Sequence, residues 1–189
     1  MKTWFTADTH FGQERTLELS KRPFTSVEHM DEEIIRRWNS VVGNDDEVYH
    51  LGDFGDPDTV SRLKFKTLYL VRGNYDDDAF CAKLDNIFSN SNSSRTLVYL
   101  DSLHTLSVGG EGVEATLVHQ PVHAKDPSLM YLFGHIHNTQ KIKRNGLNVG
   151  TDCHNFTPVD TDYILFQFNG IINHYDENVF IPILGSNLW

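Results

Sequence analysis

Residues 3–12 read Thr-Trp-Phe-Thr-Ala-Asp-Thr-His-Phe-Gly, and the fold follows from how this stretch is built and where its plan recurs. Thr3 to Ala7 is a short β-branched and aromatic run that predicts a strand, and the polar turn Asp8-Thr9-His10-Phe11-Gly12 stops it. Glu47 to Leu51 predicts a second strand, broken by Gly52-Asp53-Phe54-Gly55-Asp56, and Thr67 to Val71 a third, ending in Arg72-Gly73-Asn74-Tyr75-Asp76. Between the first two, Ser26 can cap a helix whose early acids include Glu28 and Asp31, and Met30, Ile34, Trp38 and Val41 recur at helical spacing up to Gly43-Asn44. Pro57-Asp58 opens a short helix to about Phe65, and Asp76 to Asp78 suit the first turn of another. Strand, loop and helix repeated in this way favour a largely parallel sheet with helices packed on it.

Beyond the loop-like cluster Ser89 to Ser94 the period drops to two, predicting strands over Thr96–Leu100, His104–Val108, Val113–Val118, Leu129–Phe133, Lys141–Val149 and Tyr163–Phe168. No repeat or linker divides the chain, so the expectation is one domain over 1–189, with two sheets facing each other and helices mainly outside. With 189 residues, 39% of them hydrophobic, the chain can bury a core, which excludes a disordered or collagen-like protein. Sixteen Lys and Arg against 26 Asp and Glu give a charge of −10, which opposes any extended contact with a nucleic-acid backbone unless something local reverses the sign. There is no apolar run of the ~18 residues a membrane span needs. The opening turns polar too quickly for a signal peptide, and two cysteines, Cys81 and Cys153, are too few for a disulfide scaffold. A cytoplasmic protein is the expectation.

The metal-capable side chains fall in one kind of place. Asp8 and His10 end the first strand, Asp53 follows the second, Asn74 the third, His119 ends the Val113 strand, and His135 and His137 follow the Leu129 strand. In open α/β sheets that carboxyl edge is where ligands bind. In extended chain, residues two apart project to one side, so Asp8-x-His10 and His135-x-His137 can each aim two donors into one cavity. Any one of these alone is more often structural than functional. Together they form an ordered set: Asp-x-His, Gly-Asp, Gly-Asn-x-Asp, His, Gly-His-x-His.

With that set the chain resembles the calcineurin-like metallophosphoesterases, a family of binuclear-metal hydrolases, over about residues 1 to 160. Lys21-Arg22-Pro23-Phe24 and Tyr49-His50-Leu51-Gly52-Asp53 look like a short single-domain subgroup. The resemblance implies a four-layer α/β/β/α sandwich of two mixed sheets. It also implies that Asp8, His10 and His137 hold one metal, that Asn74, His119 and His135 hold the other, and that Asp53 bridges both. Two divalent ions ~3.5–4 Å apart can share a hydroxide and clamp phosphoryl oxygens for in-line attack. They would also supply the sign reversal that an acidic chain needs to bind a phosphate ester. Nitrogen and oxygen donors without thiolate leave Mn²⁺, Fe²⁺, Ni²⁺ and Zn²⁺ open, with Mn²⁺ favoured by the resemblance.

One position departs from the pattern. The family usually has His after Gly-Asn as proton donor or transition-state partner, and here it is Tyr75. Phenol, with a reference pKa near ~10 against ~6.5 for imidazole, releases its proton less readily at neutral pH. An enzyme handicapped on poor leaving groups is therefore expected, unless His123 or His50 assists or Tyr75 stacks on a substrate ring. Asn74, Tyr75 and Asp76 are the catalytic candidates, with Asp76 orienting Tyr75 or capping its helix, and Arg72 and His123 are the substrate-binding ones. Arg72 could equally pair with nearby acids. Lys21 and Arg22 are expected to be solvated surface charge rather than a substrate lip, and Cys153 a buried small residue.

The tail, about 171–189, is apolar enough to pack on the domain or on a second subunit of a homodimer. The leading expectation is a phosphoesterase acting on a small phosphorylated molecule, a diester such as a cyclic nucleotide slightly favoured over a monoester. The alternatives are nuclease-like or nucleotide phosphatase activity, and a scaffold that keeps the fold with residual catalysis.

Overall fold

In the computed structural model, which describes residues 1–91, 93–110 and 112–176, ten strands form two five-stranded mixed sheets flanked by helices. The first sheet joins β1 (Thr3–Thr6), β2 (Glu47–His50), β3 (Thr67–Val71) and β4 (Thr96–Leu100) in parallel, and β10 (Val159–Asp160) lies antiparallel on β1. The second runs in the order β5 (His104–Val108), β6 (Val113–Leu117), β7 (Tyr131–Phe133), β9 (Gly146–Asn148), β8 (Ile142–Lys143), parallel only across β6, β7 and β9. An isolated parallel bridge between Ala7 and Gly150 stitches the ends of β1 and β9 together, so the two sheets meet at their carboxyl edges.

Helix α1 (Glu14–Leu19) follows β1, and α2 (Val27–Val41) begins where the Ser26 hydroxyl accepts the His29 amide at 3.1 Å. Met30, Ile34, Ile35 and Trp38 of α2 are buried with Val48, Leu68 and Leu70 of the first sheet and with Phe80 and Leu84 of α3 (Asp78–Ser89). The other face of that sheet, through Phe5, Leu51 and Val71, packs on Ala115, Leu117, Leu132 and Leu147 of the second. Burying such side chains contributes ~1.5–3 kcal/mol each, which fixes the sheets face to face and holds the strand ends in register. Among the described residues no helix is long and apolar enough to cross a membrane.

Several expectations are corrected. Tyr163–Phe168 is not a strand but lies within α4 (Thr161–His174), where Asp160 caps by accepting the Tyr163 amide and Ile164, Phe168 and Ile171 form the buried stripe. Lys141–Val149 is a hairpin of β8 and β9 turning at Arg144-Asn145, and the helix after Pro57 is a 3-10 turn ending at Arg62. Neither α1 nor β10 is signalled by the periodicities above. Asp77, not Asp76, caps α3, accepting from the Phe80 amide at 2.8 Å. Most of the apolar tail, 177–189, lies outside the described residues.

Candidate metal centre

The turns that follow the strands bring two groups of donors together. Asp8, His10 and Asp53 place one ligand atom each within 4.8 Å of one another, and so do Asp53, His119 and His135, so Asp53 belongs to both. All but His135 are buried. Backbone conformation explains how the side chains converge. Asp8, His10, Asp53, His135 and His137 all take positive φ, between 49° and 71°, a region that Asp and His tolerate better than most residues. The extended-chain reason for Asp8-x-His10 and His135-x-His137 is therefore replaced: the chain has already left strand geometry, and left-handed residues turn each donor inward.

Glycines let these turns touch. A Cβ on Gly73 would strike the Asp53 amide and carboxylate, and one on Gly134 would sit 2.7 Å from Asp8 Oδ2. Buried Asp76 ties the Gly-Asp and Gly-Asn loops together, its carboxylate accepting the amides of Asp53 (2.8 Å), Phe54 (3.1 Å) and Gly73 (2.8 Å). It neither orients the Tyr75 ring nor caps α3, and burial raises its pKa against the pull of those amides.

The imidazoles are oriented by their rear nitrogens. His10 Nδ1 donates to Gln13 Oε1 at 2.7 Å, His119 Nδ1 to the Leu51 carbonyl at 2.7 Å, and His137 Nδ1 to Asp152 Oδ2 at 2.9 Å. This leaves Nε2 as the donor atom in each. His10 Nε2 is buried without a hydrogen-bond partner, 3.6 Å from Asp53 Oδ2. His119 Nε2 lies 3.3 Å from that same oxygen and 3.0 Å from Asn74 Oδ1. Asp53 Oδ1 accepts the Tyr75 amide, so Oδ2 is the oxygen turned to both histidines. Asp8, fully buried, accepts the His135 amide through both oxygens.

The electrostatics agree. Burial pushes the Asp8 carboxyl up to about 6 and the His10 imidazole down to about 4, so uncharged imidazole and a carboxylate in want of positive charge stand side by side. Burial alone would lower His119, but the Asp53 carboxylate beside it raises the pKa overall. An orphaned ring nitrogen, paired acceptors and a nitrogen and oxygen donor set without sulfur fit divalent cations.

His137 stacks on His10 with ring centroids 5.2 Å apart and is anchored from behind by a pair that sequence reading missed. Asp152 binds the buried Arg22 guanidinium in a bidentate pair, Nη2 at 2.7 Å and Nε at 3.0 Å, and Arg22 also donates to the carbonyls of Asp8 (2.6 Å) and Thr9 (2.8 Å). Arg22 is thus not surface charge. It braces the first ligand turn against the turn after β9, while Lys21 is exposed. The signal was the Lys-Arg-Pro-Phe motif, which names no partner 130 residues away.

Tyr75 is 44% exposed, its ring edge-on to His10 at 5.5 Å, and with His10, His135 and His137 it lines a cleft of about 370 Å³. Arg72 turns away, donating to the Asp76 carbonyl and pairing with Asp78 at 2.9 Å. His123 is exposed on the turn Pro121–His123 and does not line this cleft. His50 is sealed in the interior against the Thr9 hydroxyl, 3.0 Å away, where it cannot meet a substrate. Cys153 is half-buried, its thiol donating to the His137 carbonyl. A larger groove of about 990 Å³ runs along α4, and none of the candidate ligands lines it.

A buried carboxylate common to two groups of donors, at an edge where two mixed sheets meet, fits a metal-binding site. The chain belongs to the calcineurin-like phosphoesterase superfamily, whose domain it matches over residues 1–169. It is 29% identical over 177 residues to an uncharacterized protein, MJ1445, of Methanocaldococcus jannaschii, covering 87% of this chain and 89% of that one. A shorter stretch of 61 residues, 32% of this chain, is 39% identical to the gene 66 protein of Mycobacterium phage L5, covering 29% of that protein. In fold it is similar to a protein of unknown function, AQ665, from Aquifex aeolicus, with a TM-score of 0.65, 20% identity and coverage of 88% of this chain and 98% of that one. Membership in the superfamily points to metal-dependent phosphoester hydrolysis.

Proposed function

We propose that the protein hydrolyses a small phosphodiester or phosphomonoester at the paired clusters, with two divalent cations as cofactor and Mn²⁺ as the preferred ion. The observation that carries this reading is Asp53, a buried carboxylate within ligand distance of two donor sets at once. Divalent cations held there would stabilise charge on phosphoryl oxygens and lower the pKa of water. In this scheme Asp8, His10 and His137 hold one ion, Asn74, His119 and His135 hold the other, and Asp53 serves both.

The protein's own part is preorganisation. Gln13, the Leu51 carbonyl and Asp152 each take an Nδ1 proton, so the Nε2 lone pairs point inward before any ligand arrives. Asp76 sets the distance between the Asp53 and Asn74 loops. Tyr75 at the cleft wall favours esters with good leaving groups, diesters slightly ahead of monoesters, because a phenol protonates a departing alkoxide less readily than an imidazolium does.

The test is metal content and hydrolysis measured on one preparation. Protein loaded with Mn²⁺ should carry about two ions per chain and cleave bis(p-nitrophenyl) phosphate. A chelator should abolish turnover, readdition should restore it, and Asp53→Asn should remove both binding and turnover. Well under two ions, or no cleavage of mono- or diester with Mn²⁺, Fe²⁺, Ni²⁺ or Zn²⁺, overturns the reading.

A further inference from the structure

The cleft beside the clusters differs in charge from the rest of the molecule. The chain carries 26 Asp and Glu, and among the described residues none of them lines this cleft. His10, His135, His137, Tyr75, Leu19 and Arg15 are among the residues that line it. Arg15 stands out among the arginines. Arg22, Arg36, Arg37, Arg62, Arg72 and Arg95 all donate to protein acceptors, and Arg144 is engaged as well. Of the arginines, all of them among the described residues, only Arg15 is exposed with no side-chain hydrogen bond or ion pair. The Tyr75 hydroxyl likewise has no partner there, and Leu19 is 69% exposed at the rim. An unspent guanidinium, a partly exposed aromatic ring and an apolar rim around one opening are the elements of a recognition subsite, not of a packed surface. At about 370 Å³ the cleft is near the lower end of the ~300–1,000 Å³ of small-molecule sites, enough for one ring-bearing group and too little for a polymer.

We propose that this cleft seats the non-reacting half of the substrate: a planar heteroaromatic ring against Tyr75, with a second anionic group paired to Arg15. The substrate class is then a nucleotide-like phosphoester bearing an anion remote from the phosphorus that reacts. This rests on the phosphoesterase reading of the neighbouring clusters and adds which ester they are given. Tyr75 contributes its ring to binding, so its hydroxyl is dispensable for affinity, whatever proton it gives a leaving group. Arg15 contributes discrimination between ligands with and without the remote charge, because a guanidinium binds a phosphate through two parallel hydrogen bonds.

Binding of inorganic phosphate, adenosine 5′-monophosphate and adenosine 3′,5′-bisphosphate to Mn²⁺-loaded protein tests this by calorimetry. The parent should prefer the monophosphate to inorganic phosphate by roughly tenfold or more, as stacking on one aromatic side chain provides. It should prefer the bisphosphate by a further ~tenfold through Arg15. Tyr75→Leu should erase the first step and Tyr75→Phe should keep it. Arg15→Gln should erase the second step while changing inorganic phosphate by less than about twofold. A flat series in the parent, or Arg15→Gln weakening all three ligands alike, overturns the subsite. Hydrolysis of bis(p-nitrophenyl) phosphate by the same sample separates the two claims. Turnover with a flat series refutes the subsite alone, and the graded series without turnover refutes the phosphoesterase reading alone.

Discussion

Asp152→Asn is the most informative single change, because it alters one charge and almost no volume at the brace behind the site. Asp152 Oδ2 accepts from both Arg22 Nη2 and His137 Nδ1, and Oδ1 accepts from Arg22 Nε. An asparagine offers one carbonyl oxygen, so in either flip its amide nitrogen faces a donor: Arg22 Nε in one, and Arg22 Nη2 with His137 Nδ1 in the other. The guanidinium is 0% exposed and its partner carboxylate 3% exposed, so removing the negative charge strands a buried cation. That costs ~3–5 kcal/mol. The carbonyls of Asp8 and Thr9 still accept from Arg22, which puts the expected loss nearer the lower figure. His137 Nδ1 then keeps at best a neutral acceptor in place of a carboxylate, so its ring is a less basic ligand and metal binding should weaken ~10–100-fold. Urea unfolding of metal-free protein reads the first effect and Mn²⁺ titration the second. The double variant Arg22→Met, Asp152→Leu should recover stability without recovering metal affinity, since two apolar groups can replace a buried pair but cannot hold an imidazole. Metal-free Asp152→Asn within about 1 kcal/mol of the parent, with unchanged Mn²⁺ affinity, would refute the brace.

Asp76→Asn removes an acceptor that serves three amides on two loops, and should cost ~1–3 kcal/mol for each amide left unpaired and lower Mn²⁺ affinity, read by unfolding and by titration. Gly134→Ala puts a methyl 2.6 Å from the Ala7 side chain and 2.7 Å from Asp8 Oδ2, so metal affinity should fall by at least ~tenfold while far-ultraviolet circular dichroism stays native. Burial holds His154 near 4, below its unfolded 6.5, so the folded state favours the neutral ring; its contribution is whole above pH 6.5 and shrinks as pH falls toward 4. At pH 5 that is a loss of ~2 kcal/mol, which should vanish from the pH dependence of urea midpoints in His154→Gln. Tyr75→His should raise turnover on alkyl phosphodiesters more than on nitrophenyl ones; equal effects on both would show that proton donation is not what this position lacks.

The parts of the site that could be read from sequence are those whose placement is local. Asp8, Asp53, Asn74 and His119 each come within three residues of the end of a strand-like run, and the end of a strand is a local event. What could not be read depends on distant partners. Arg22 has the sequence context of an exposed loop residue and becomes buried only because Asp152, from the turn after β9, meets it. Proximity to the motifs suggests a substrate role for Arg72 and His123, and the chain turns both elsewhere. Tyr163–Phe168 shows a different failure. Its apolar run fits alternation over six residues, but the cap at Asp160 and the buried residues at 164, 168 and 171 declare a helix once the window is lengthened.

The left-handed backbone at the ligands connects fold to function energetically. Five of the candidate ligand residues hold positive φ without being glycine, and each such residue carries strain of ~1 kcal/mol or more. Summed, that is comparable with the ~5–15 kcal/mol by which a domain of this kind is stable at all. Such a conformation persists because the surroundings over-determine it: backbone amides clamp Asp8 and Asp76, and glycines allow the loops to touch. It follows that the interactions behind the site, rather than the donors themselves, decide whether the donors stand ready. Ions that bind only the folded chain offset the strain by mass action, so the unfolding midpoint should rise with Mn²⁺ concentration in the parent. The rise should be shallower wherever a brace such as Asp152 has been removed.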